Sequence, residues 1–336
     1  MAQDQILRTK HLKGNNRGIA EAIKLLASSE LVSFPTETVY GLGADARSDS
    51  AVAKIFSVKK RPTFNPLIVH VASKEQVEYL ARIPHKAIPL IEKFWPGPLT
   101  LVLQKRKYNT ILSDLVTAKL DTIAVRVPSH YIALNLLKKF EGPIAAPSAN
   151  ISGNLTPTRA SDVFSAMEGK ISAILDGGSC PVGLESTIIK FSNSEPVLLR
   201  PGGIPIELIQ ETLGRQIKNL AGERILESQI LSPGQLLSHY APKSTLRLNV
   251  REPLISELYL GFGKMPRDCK GICLSNSSNL EEAAEKLFSS LHDLDKMAAA
   301  LGINKIAVAP IPNKGLGLAL NDRLKKASIP KIRQNQ

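Results

Sequence analysis

The chain has 336 residues, 43% of them hydrophobic, which is enough for a full core and suggests two domains. No run approaches the roughly 20 apolar residues of a membrane helix, and the N-terminus lacks the apolar centre of a signal peptide, so we predict a cytoplasmic protein without a membrane partner. The net charge of +13 favours anionic partners, whereas 5% aromatic residues argue against a stacking platform for single-stranded nucleic acid.

The first part of the chain alternates helical and extended patterns. An amphipathic helix, "GIAEAIKLLASSE", precedes a short apolar strand, "LVSFP". Further strands are predicted at "PLIVHVAS", "PLTLVLQK" and "TIAVRVPS", and further helices at "KEQVEYLARI", "HKAIPLIEKFW" and "HYIALNLLKKFEG". Four extended runs follow, "PIAAPSAN", "ISAILDGG", "STIIKFSN" and "EPVLLRPGG". The order is α/β, and the consecutive late strands predict a twisted mixed sheet instead of a parallel one.

The second part of the chain follows a segment in which the hydrophobic periodicity becomes weak. The helix "IPIELIQETLGRQIKN" is predicted to end near Leu220, and weak periodicity with Ser, Pro and Gly then indicates a linker over residues 216–244. Residues 1–215 form the first domain in this division. Residues 245–336 contain strands at "ISELYLGFG", "GICLSN" and "KIAVAPIP" and helices at "LEEAAEKLFSSLHDLDKMAAALG" and "LALNDRLKKAS", which predicts a small Rossmann-like βαβ domain.

Metal and nucleotide motifs are weak. Cys269 and Cys273 resemble half of a zinc site, but no second Cys or His pair stands at ligand spacing, so we predict no protein metal site and treat the thiols, Cys180 included, as structural. Gly315 and Gly317 lie between a strand and a helix, where they fit a tight turn at least as well as a dinucleotide loop.

Polar residues directly follow the ends of predicted strands in the first domain. Thr36, Thr38 and Tyr40 follow an apolar strand in "FPTETVYGLGADA", and Ser148 and Asn150 follow another in "APSAN". Backbone amides at such positions can face an anion. The same residue types are also ordinary turn and cap residues, so neither segment decides the matter alone.

A cluster of cations comes before the strand that ends at His70. Lys59, Lys60 and Arg61 stand together in "SVKKRPTFNPLIVH". Two interpretations are open: a solvated helix end, where cations complement the helix dipole, or a site for an anion.

Several separated motifs together resemble one family. "PTETVYGLGADA", "KKRPTFNPL", "APSAN", "GLESTII" and "LLRPG" occur in this order, as in the YrdC-type threonylcarbamoyl-AMP synthases. "SPGQLLSHYAPKSTL" and "NKGLGLALNDRLKKA" are similar to the linker and the closing helix of the two-domain members. The resemblance implies synthesis of threonylcarbamoyl-AMP from L-threonine, bicarbonate and ATP with release of pyrophosphate, for the t6A modification of transfer RNAs that read codons starting with A.

The resemblance also implies the substrates, partners and site residues. ATP would arrive as its Mg²⁺ complex, and the product would pass to the tRNA threonylcarbamoyl transferase machinery; weak tRNA binding is compatible with the charge. Lys59 and Arg61 would be catalytic through charge stabilisation on the triphosphate. The implied ATP-binding residues are Lys59, Arg61, Asn65, Thr122, Ser148, Asn150, Thr156, Arg200 and Tyr240. The implied threonine-binding residues are Thr38, His70, Arg126, Ala146 and Ser186.

Some of these residues have simpler interpretations. Arg126 is the natural partner of the threonine carboxylate, but it also fits a surface cation at a strand end. His70 also fits a core imidazole. Tyr240 lies in the predicted linker, so its contact with ATP requires the linker to fold over the site as a lid. Related linkers carry more basic or aromatic residues before the His-Tyr pair than this chain does.

Two other functions use the same features. A double-stranded RNA or tRNA-binding module would place Lys59, Lys60, Arg61 and Arg126 on backbone phosphates, but it leaves the implied threonine residues without a purpose. A carbamoyl-transfer domain that uses carbamoyl phosphate is chemically close, but we expect it to occur with zinc-finger modules, for which this chain has no Cys pairs.

Overall fold

A computed structural model describes residues 7–106, 111–192, 195–221, 231–234 and 239–329. Its first part is built on twelve strands: β1 (Lys10–Lys13), β2 (Val32–Phe34), β3 (Gly41–Asp45), β4 (Ile68–His70), β5 (Ala81–Arg82), β6 (Leu99–Lys105), β7 (Thr122–Arg126), β8 (Ile144–Ala145), β9 (Ala173–Asp176), β10 (Thr187–Ser192), β11 (Glu195–Arg200) and β12 (Lys218–Asn219).

These strands form one mixed sheet. The order across it is β1-β9-β2-β3-β8-β4-β7-β6-β10-β11-β12, with β5 paired to β6. β4 and β7 run parallel, whereas β3 and β8, β8 and β4, and β6 and β7 run antiparallel. The predicted mixed sheet is therefore confirmed. Because β4 and β7 point the same way, His70 and Arg126 sit opposite each other at the ends of neighbouring strands.

Eight helices of the described residues pack around this sheet: α1 (Asn16–Ala27), α2 (Asp49–Lys59), α3 (Lys74–Leu80), α4 (Ile88–Phe94), α5 (Asp114–Thr117), α6 (Tyr131–Phe140), α7 (Ala160–Met167) and α8 (Ile206–Leu213). Side chains cap four of them at the N-terminus; Asn15, for example, accepts the amide of Gly18, and Ser48 accepts that of Ala51. The main apolar core lies between the sheet and these helices and includes Leu42, Ile55 and Leu101.

The structure differs from the sequence prediction at several elements: β1, β5 and α5 were not predicted, and helices α8 and α7 also differ. α8 ends at Leu213 instead of near Leu220, because Gly214 adopts a left-handed conformation with φ of 63° and closes the helix. The chain then adds β12 beside β11, within the segment predicted as linker. α7 was not predicted, since its short sequence follows a Thr- and Pro-rich stretch and no side chain caps it.

The second part of the chain has its own parallel sheet. Its elements are β13 (Thr245–Arg247), β14 (Leu258–Gly261), β15 (Gly271–Cys273), α9 (Leu280–Leu301), β16 (Lys305–Val308) and α10 (Leu316–Ser328). The strand order is β13-β16-β14-β15, and every pair is parallel, which confirms the predicted small α/β domain. β13 was missed because its three residues follow the Ser- and Pro-containing linker directly.

The two parts touch beside the ends of the large sheet. Leu155 and Leu184 of the first part share an apolar cluster with Leu287 and Phe288 of α9. Arg159 forms an ion pair with Asp293 at 2.8 Å. Among the described residues, no helix is long and apolar enough to cross a membrane.

Candidate active site

A cavity lies where several strand ends meet the linker. It has a volume of about 40 Å³, which is room for only a few water molecules. Nine of the predicted site residues line it: Thr38, Arg61, His70, Arg126, Ala146, Ser148, Ser186, Arg200 and Tyr240. Pro233, Gly234 and His239 of the linker complete the wall beside Tyr240.

Arg126 is held by a buried carboxylate that the sequence analysis missed. Its Nη2 donates to Glu37 Oε1 at 2.6 Å, its Nη1 to Thr38 Oγ1 at 2.8 Å and its Nε to the Gly97 carbonyl at 3.2 Å. Arg126 and Glu37 are 3% and 5% exposed, so the surface-cation interpretation of Arg126 is wrong. Three of the five guanidinium hydrogens are used, and the side chain keeps donors for an anion in the cavity.

Lys59 and Arg61 are buried on either side of an exposed Lys60. Lys60 takes a left-handed conformation with φ of 51°, which ends α2 and turns the chain inward. Lys59 and Arg61 are 2% and 8% exposed. The interpretation of these cations as a solvated helix end is therefore correct only for Lys60. The Arg61 Nε and Nη2 atoms donate to Asn65, at 3.0 Å to its carbonyl and 2.6 Å to its Oδ1.

Lys59 supports the cavity wall from behind and does not line it. Its Nζ donates to the carbonyl oxygens of Ser148, at 2.6 Å, and of Asn150. The Ser148 hydroxyl in turn donates to the Asn150 side chain. Lys59 therefore fixes the backbone of the segment that presents Ser148 to the cavity.

Positive charge exceeds negative charge around the cavity, although Glu37 pairs with Arg126 beside the lining. Burial lowers the pKa of Lys59 well below its usual range, and burial together with the charge of Arg200 lowers the pKa of Arg61 to about 9. Burial lowers the pKa of Arg200 as well. The lining contains three guanidinium groups and one carboxylate, that of Glu185. An anion in the cavity relieves this mutual repulsion.

Arg200 and Ser186 form one hydrogen-bonded unit. The guanidinium donates to the Ser186 carbonyl at 2.8 Å and to its hydroxyl at 3.1 Å, and the hydroxyl also bonds Thr100 at 2.7 Å. The neighbouring Glu185 carboxylate accepts the Thr156 hydroxyl at 2.9 Å. Thr156 thus orients a carboxylate of the wall and lies outside the lining itself.

Three of the other predicted residues are also outside the lining. Asn65 anchors Arg61, and Asn150 holds the Ser148 segment. Thr122 begins β7 four residues before Arg126 and shares its face of the sheet, about 13 Å away at the usual rise of a strand. The structure does not bring Thr122 to the cavity, and only a ligand extended along the sheet face reaches both ends of β7.

Two neutral imidazoles line the cavity. Burial lowers the pKa of His70 and of His239 to about 3. Neither Nδ1 atom has a hydrogen-bond partner among the described residues. His70 is therefore buried, as in the core-imidazole interpretation, and yet faces the cavity. His239, which the sequence analysis did not assign, could have been found from its position directly before Tyr240.

We expect these histidines to make the protein sensitive to mild acid. Their folded-state pKa lies below the unfolded value near 6.5, so the stabilisation is complete above pH 6.5 and is lost as the pH falls toward 3. In this window the free energy of unfolding should drop by up to about 1.4 kcal/mol per pH unit for each imidazole. Urea unfolding from pH 7.5 to 5 measures this slope. His239→Asn should reduce the slope, whereas a variant of the exposed His85 should leave it unchanged; equal slopes in all three chains would contradict the assignment.

The described linker residues are tightly packed. Tyr240 is 1% exposed and has a φ of 64°, a conformation that bulky residues rarely adopt. The Ala241 amide donates to the Gly153 carbonyl at 2.9 Å, which ties the linker to the first domain. Part of the predicted linker motif, Gln235 to Ser238, lies outside the described residues.

Gly234 is required by both conformation and space. Its φ is 87°, and an added Cβ would lie 2.6 Å from the Arg200 side chain. We expect Gly234→Ala to lower the catalytic rate about tenfold or more, because it displaces Arg200 or the linker. The control is Gly214→Ala, where φ is also positive but no atom lies within 4 Å of the added Cβ. Equal loss of rate in both variants, measured by initial rates at matched folded fraction, would mean that backbone strain alone is responsible.

The burial of the cations bears on the RNA-binding alternative. Lys59, Arg61 and Arg126 are each less than 9% exposed, so these side chains do not present a surface for the phosphates of a duplex. No group of three His, Cys, Asp or Glu side chains lies together as a metal site in the part of the chain that the structure describes.

Comparison with known proteins agrees with this geometry. A family profile described as "Telomere recombination", which covers the Sua5, YciO and YrdC proteins, matches residues 24–202, and one described as "Threonylcarbamoyl-AMP synthase, C-terminal domain" matches residues 204–328. The threonylcarbamoyl-AMP synthase of Pyrococcus abyssi is 43% identical over 91% of this chain and 93% of its own. That of Bacillus subtilis is 40% identical over 95% of both. The crystal structure of P. abyssi Sua5 complexed with L-threonine matches with a TM-score of 0.85 at 39% identity, over 95% of this chain and 97% of the other.

Proposed function

Because the chain belongs to the Sua5/YciO/YrdC family of threonylcarbamoyl-AMP synthases, in its two-domain form, we propose that it joins L-threonine, bicarbonate and ATP into threonylcarbamoyl-AMP and pyrophosphate. The observation that carries this proposal is the cavity whose lining has three guanidinium groups and one carboxylate, with a second carboxylate, Glu37, paired to Arg126 just outside the lining. Such a site suits substrates that bring a carboxylate and a chain of phosphates.

The two substrates take different sides of the cavity in this proposal. Arg126 binds the threonine carboxylate through its remaining donors, with Thr38, His70 and Ser186 around the amino acid. Arg61, Arg200, Ser148 and Tyr240 contact the nucleotide. Lys59, Asn65, Asn150 and Thr156 act behind them by fixing the groups that touch substrate.

The reaction needs positioning and charge more than a nucleophile from the protein. The threonine amine takes up CO₂ to give a carbamate, whose oxygen attacks the α-phosphate of ATP while pyrophosphate leaves. The neutral His70 near the amine is compatible with an uncharged, reactive nitrogen. Arg61 and Arg200 stabilise the charge that develops on the phosphates. Mg²⁺ enters with ATP and is held mainly by phosphate oxygens and water.

The linker acts as a lid in this mechanism. It opens to admit ATP, and its closure shields a mixed anhydride that water would hydrolyse. We propose that the product passes to the tRNA threonylcarbamoyl transferase machinery and that the protein acts in the cytoplasm.

Pyrophosphate release should require L-threonine and bicarbonate together. We expect release with both substrates to exceed release with either one by at least tenfold, because the carbamate is the nucleophile. The measurement is pyrophosphate formation from ATP with a panel of amino acids, with degassed buffer for the arm without bicarbonate. Equal release in the absence of both would leave an ATP hydrolase and contradict the proposal.

A salt titration separates this function from RNA binding. Binding to tRNA through phosphates should weaken steeply with salt, whereas threonine-dependent turnover in the cavity should follow a much shallower slope. Parallel slopes for the two measurements, by filter binding and pyrophosphate assay, would favour an RNA-binding module.

A further inference from the structure

The last helix of the C-terminal domain places a buried arginine behind the cavity wall. Arg323 of α10 is 1% exposed, and its Nε donates to Glu185 Oε2 at 2.8 Å. Its guanidinium carbon lies 5.3 Å from the centre of the Tyr240 ring. Glu185 and Tyr240 both line the cavity, so one side chain of the second domain contacts two residues of the wall.

A second cation on the same helix holds the linker. The Lys326 Nζ donates to the Gly234 carbonyl at 2.8 Å, and the Lys326 carbonyl accepts the amide of His239 at 3.4 Å. Asp322 bonds both cations and fixes them relative to each other. α10 therefore contacts Gly234, His239 and Tyr240, each of which lines the cavity.

In this cluster a carboxylate of the first domain faces a guanidinium group of the second domain. Despite its burial, Glu185 has its pKa lowered to about 2, chiefly by the charges of Arg323 and Arg200. The carboxylate is thus ionised at every physiological pH. Arg323 bonds the carboxylate directly, whereas Arg200 bonds the neighbouring Ser186 and acts on Glu185 through its charge.

Packing alone does not account for Arg323. Its Nη2 is buried without a hydrogen-bond partner among the described residues, which costs stability. An apolar side chain of similar volume avoids that cost. The arginine instead fixes the orientation of its neighbours. Its guanidinium group donates to one oxygen of the Glu185 carboxylate and lies close to the Tyr240 ring.

We propose that Arg323 is a positioning residue for the reaction, which fixes the Glu185 carboxylate and the Tyr240 ring and so holds the linker closed over bound nucleotide. This inference rests on the proposed function and gives the C-terminal domain a task beyond tethering the linker. Arg323 touches no substrate; it acts through Glu185, next to Ser186, and through Tyr240. Its loss lets the linker open more often, so bound nucleotide leaves sooner.

Nucleotide release tests the inference directly. In the full chain, Arg323→Lys keeps the charge but loses the fork and the flat surface over Tyr240. We expect a fluorescent N-methylanthraniloyl ATP analogue to dissociate at least tenfold faster from this variant in stopped-flow measurements, with a similar loss in kcat/KM for ATP. The matched control is Asp293→Asn, which removes the other ion pair between the domains, 2.8 Å long and outside the cavity lining, while Arg159 keeps Asp162. The control should stay within about twofold of the wild type on both measurements.

A double variant distinguishes positioning from stability. Arg323→Met alone leaves Glu185 buried without its main partner, so its melting temperature should fall; adding Glu185→Gln removes the stranded charge and should restore it. If the inference is correct, nucleotide still dissociates fast from the double variant, even though its melting temperature is restored. Slow release from the double variant, or equal release rates for Arg323→Lys and Asp293→Asn, would overturn it. A wild-type chain that binds the analogue but releases no threonine-dependent pyrophosphate would instead contradict the proposed function.

Discussion

Replacing Arg61 with alanine is expected to lower threonine-dependent turnover by two to three orders of magnitude, on the order of 2.7 to 4 kcal/mol of transition-state stabilisation. The side chain lines the cavity, and its Nε and Nη2 are anchored to Asn65 and to the Pro66 carbonyl, the latter at 2.7 Å. The guanidinium is therefore already oriented before ATP binds, and little entropy is lost when it contacts the phosphates. Initial rates of pyrophosphate release at varied ATP measure the loss.

The chain offers a matched control next to this residue. Lys60→Ala removes one positive charge at the exposed end of α2 without touching the cavity, so it should change turnover by about twofold or less. A comparable loss in both variants would mean that net charge, and not the placement of Arg61, determines the rate. Near-normal turnover of Arg61→Ala would make Arg61 a structural residue.

Lys59 should behave differently from Arg61. Lys59→Ala leaves the carbonyls of Ser148 and Asn150 without their donor, so it should lower the melting temperature as well as turnover. Thermal melts of the Lys59 and Arg61 variants beside their rates separate a residue that shapes the wall from one that touches substrate.

A chain that ends after Ala221 is expected to fold but to lose at least three orders of magnitude in activity, roughly 4 kcal/mol. A chain that ends after Pro205 also lacks α8, whose Ile209 is buried in the main core. This shorter chain should therefore be less stable. The chain that ends after Ala221 keeps every strand of the large sheet and should unfold cooperatively.

The expected loss of activity follows from the cavity-lining residues that the truncated chain lacks. Without the linker and the second domain the cavity has no Pro233, Gly234, His239 or Tyr240, and Glu185 has no Arg323. The loaded site is then open to water, and product forms slowly or is hydrolysed. Steady-state rates and circular-dichroism melts of the truncated and full chains measure this. Full activity in the truncated chain would show that the linker is a passive connector and that Tyr240 does not belong to the site.

The sequence by itself determined the features that local rules control. Period-2 and period-3.6 patterns located most strands and helices, because burial of one face is visible in a short window. The family resemblance implied one site that contains Arg61, Arg126 and Arg200, and all three line the same cavity. Local rules failed where signals were short: Gly214 ends α8 earlier than the apolar pattern suggests, and α7 and β13 carry little periodicity.

The tertiary structure alone decided which charges face each other. Glu37 and Arg126 are 89 residues apart and Glu185 and Arg323 are 138 residues apart, and no spacing rule connects such pairs. In the sequence Lys59, Lys60 and Arg61 are equivalent cations; the left-handed turn at Lys60 sends its two neighbours inward and leaves it in solvent. Burial and the charge of Arg200 likewise lower the pKa of Arg61 to about 9, whereas the charges of Arg323 and Arg200 outweigh burial and lower the pKa of Glu185 to about 2. Long-range packing sets the local dielectric and the neighbouring charges, and these are the quantities that a sequence read in short windows does not contain.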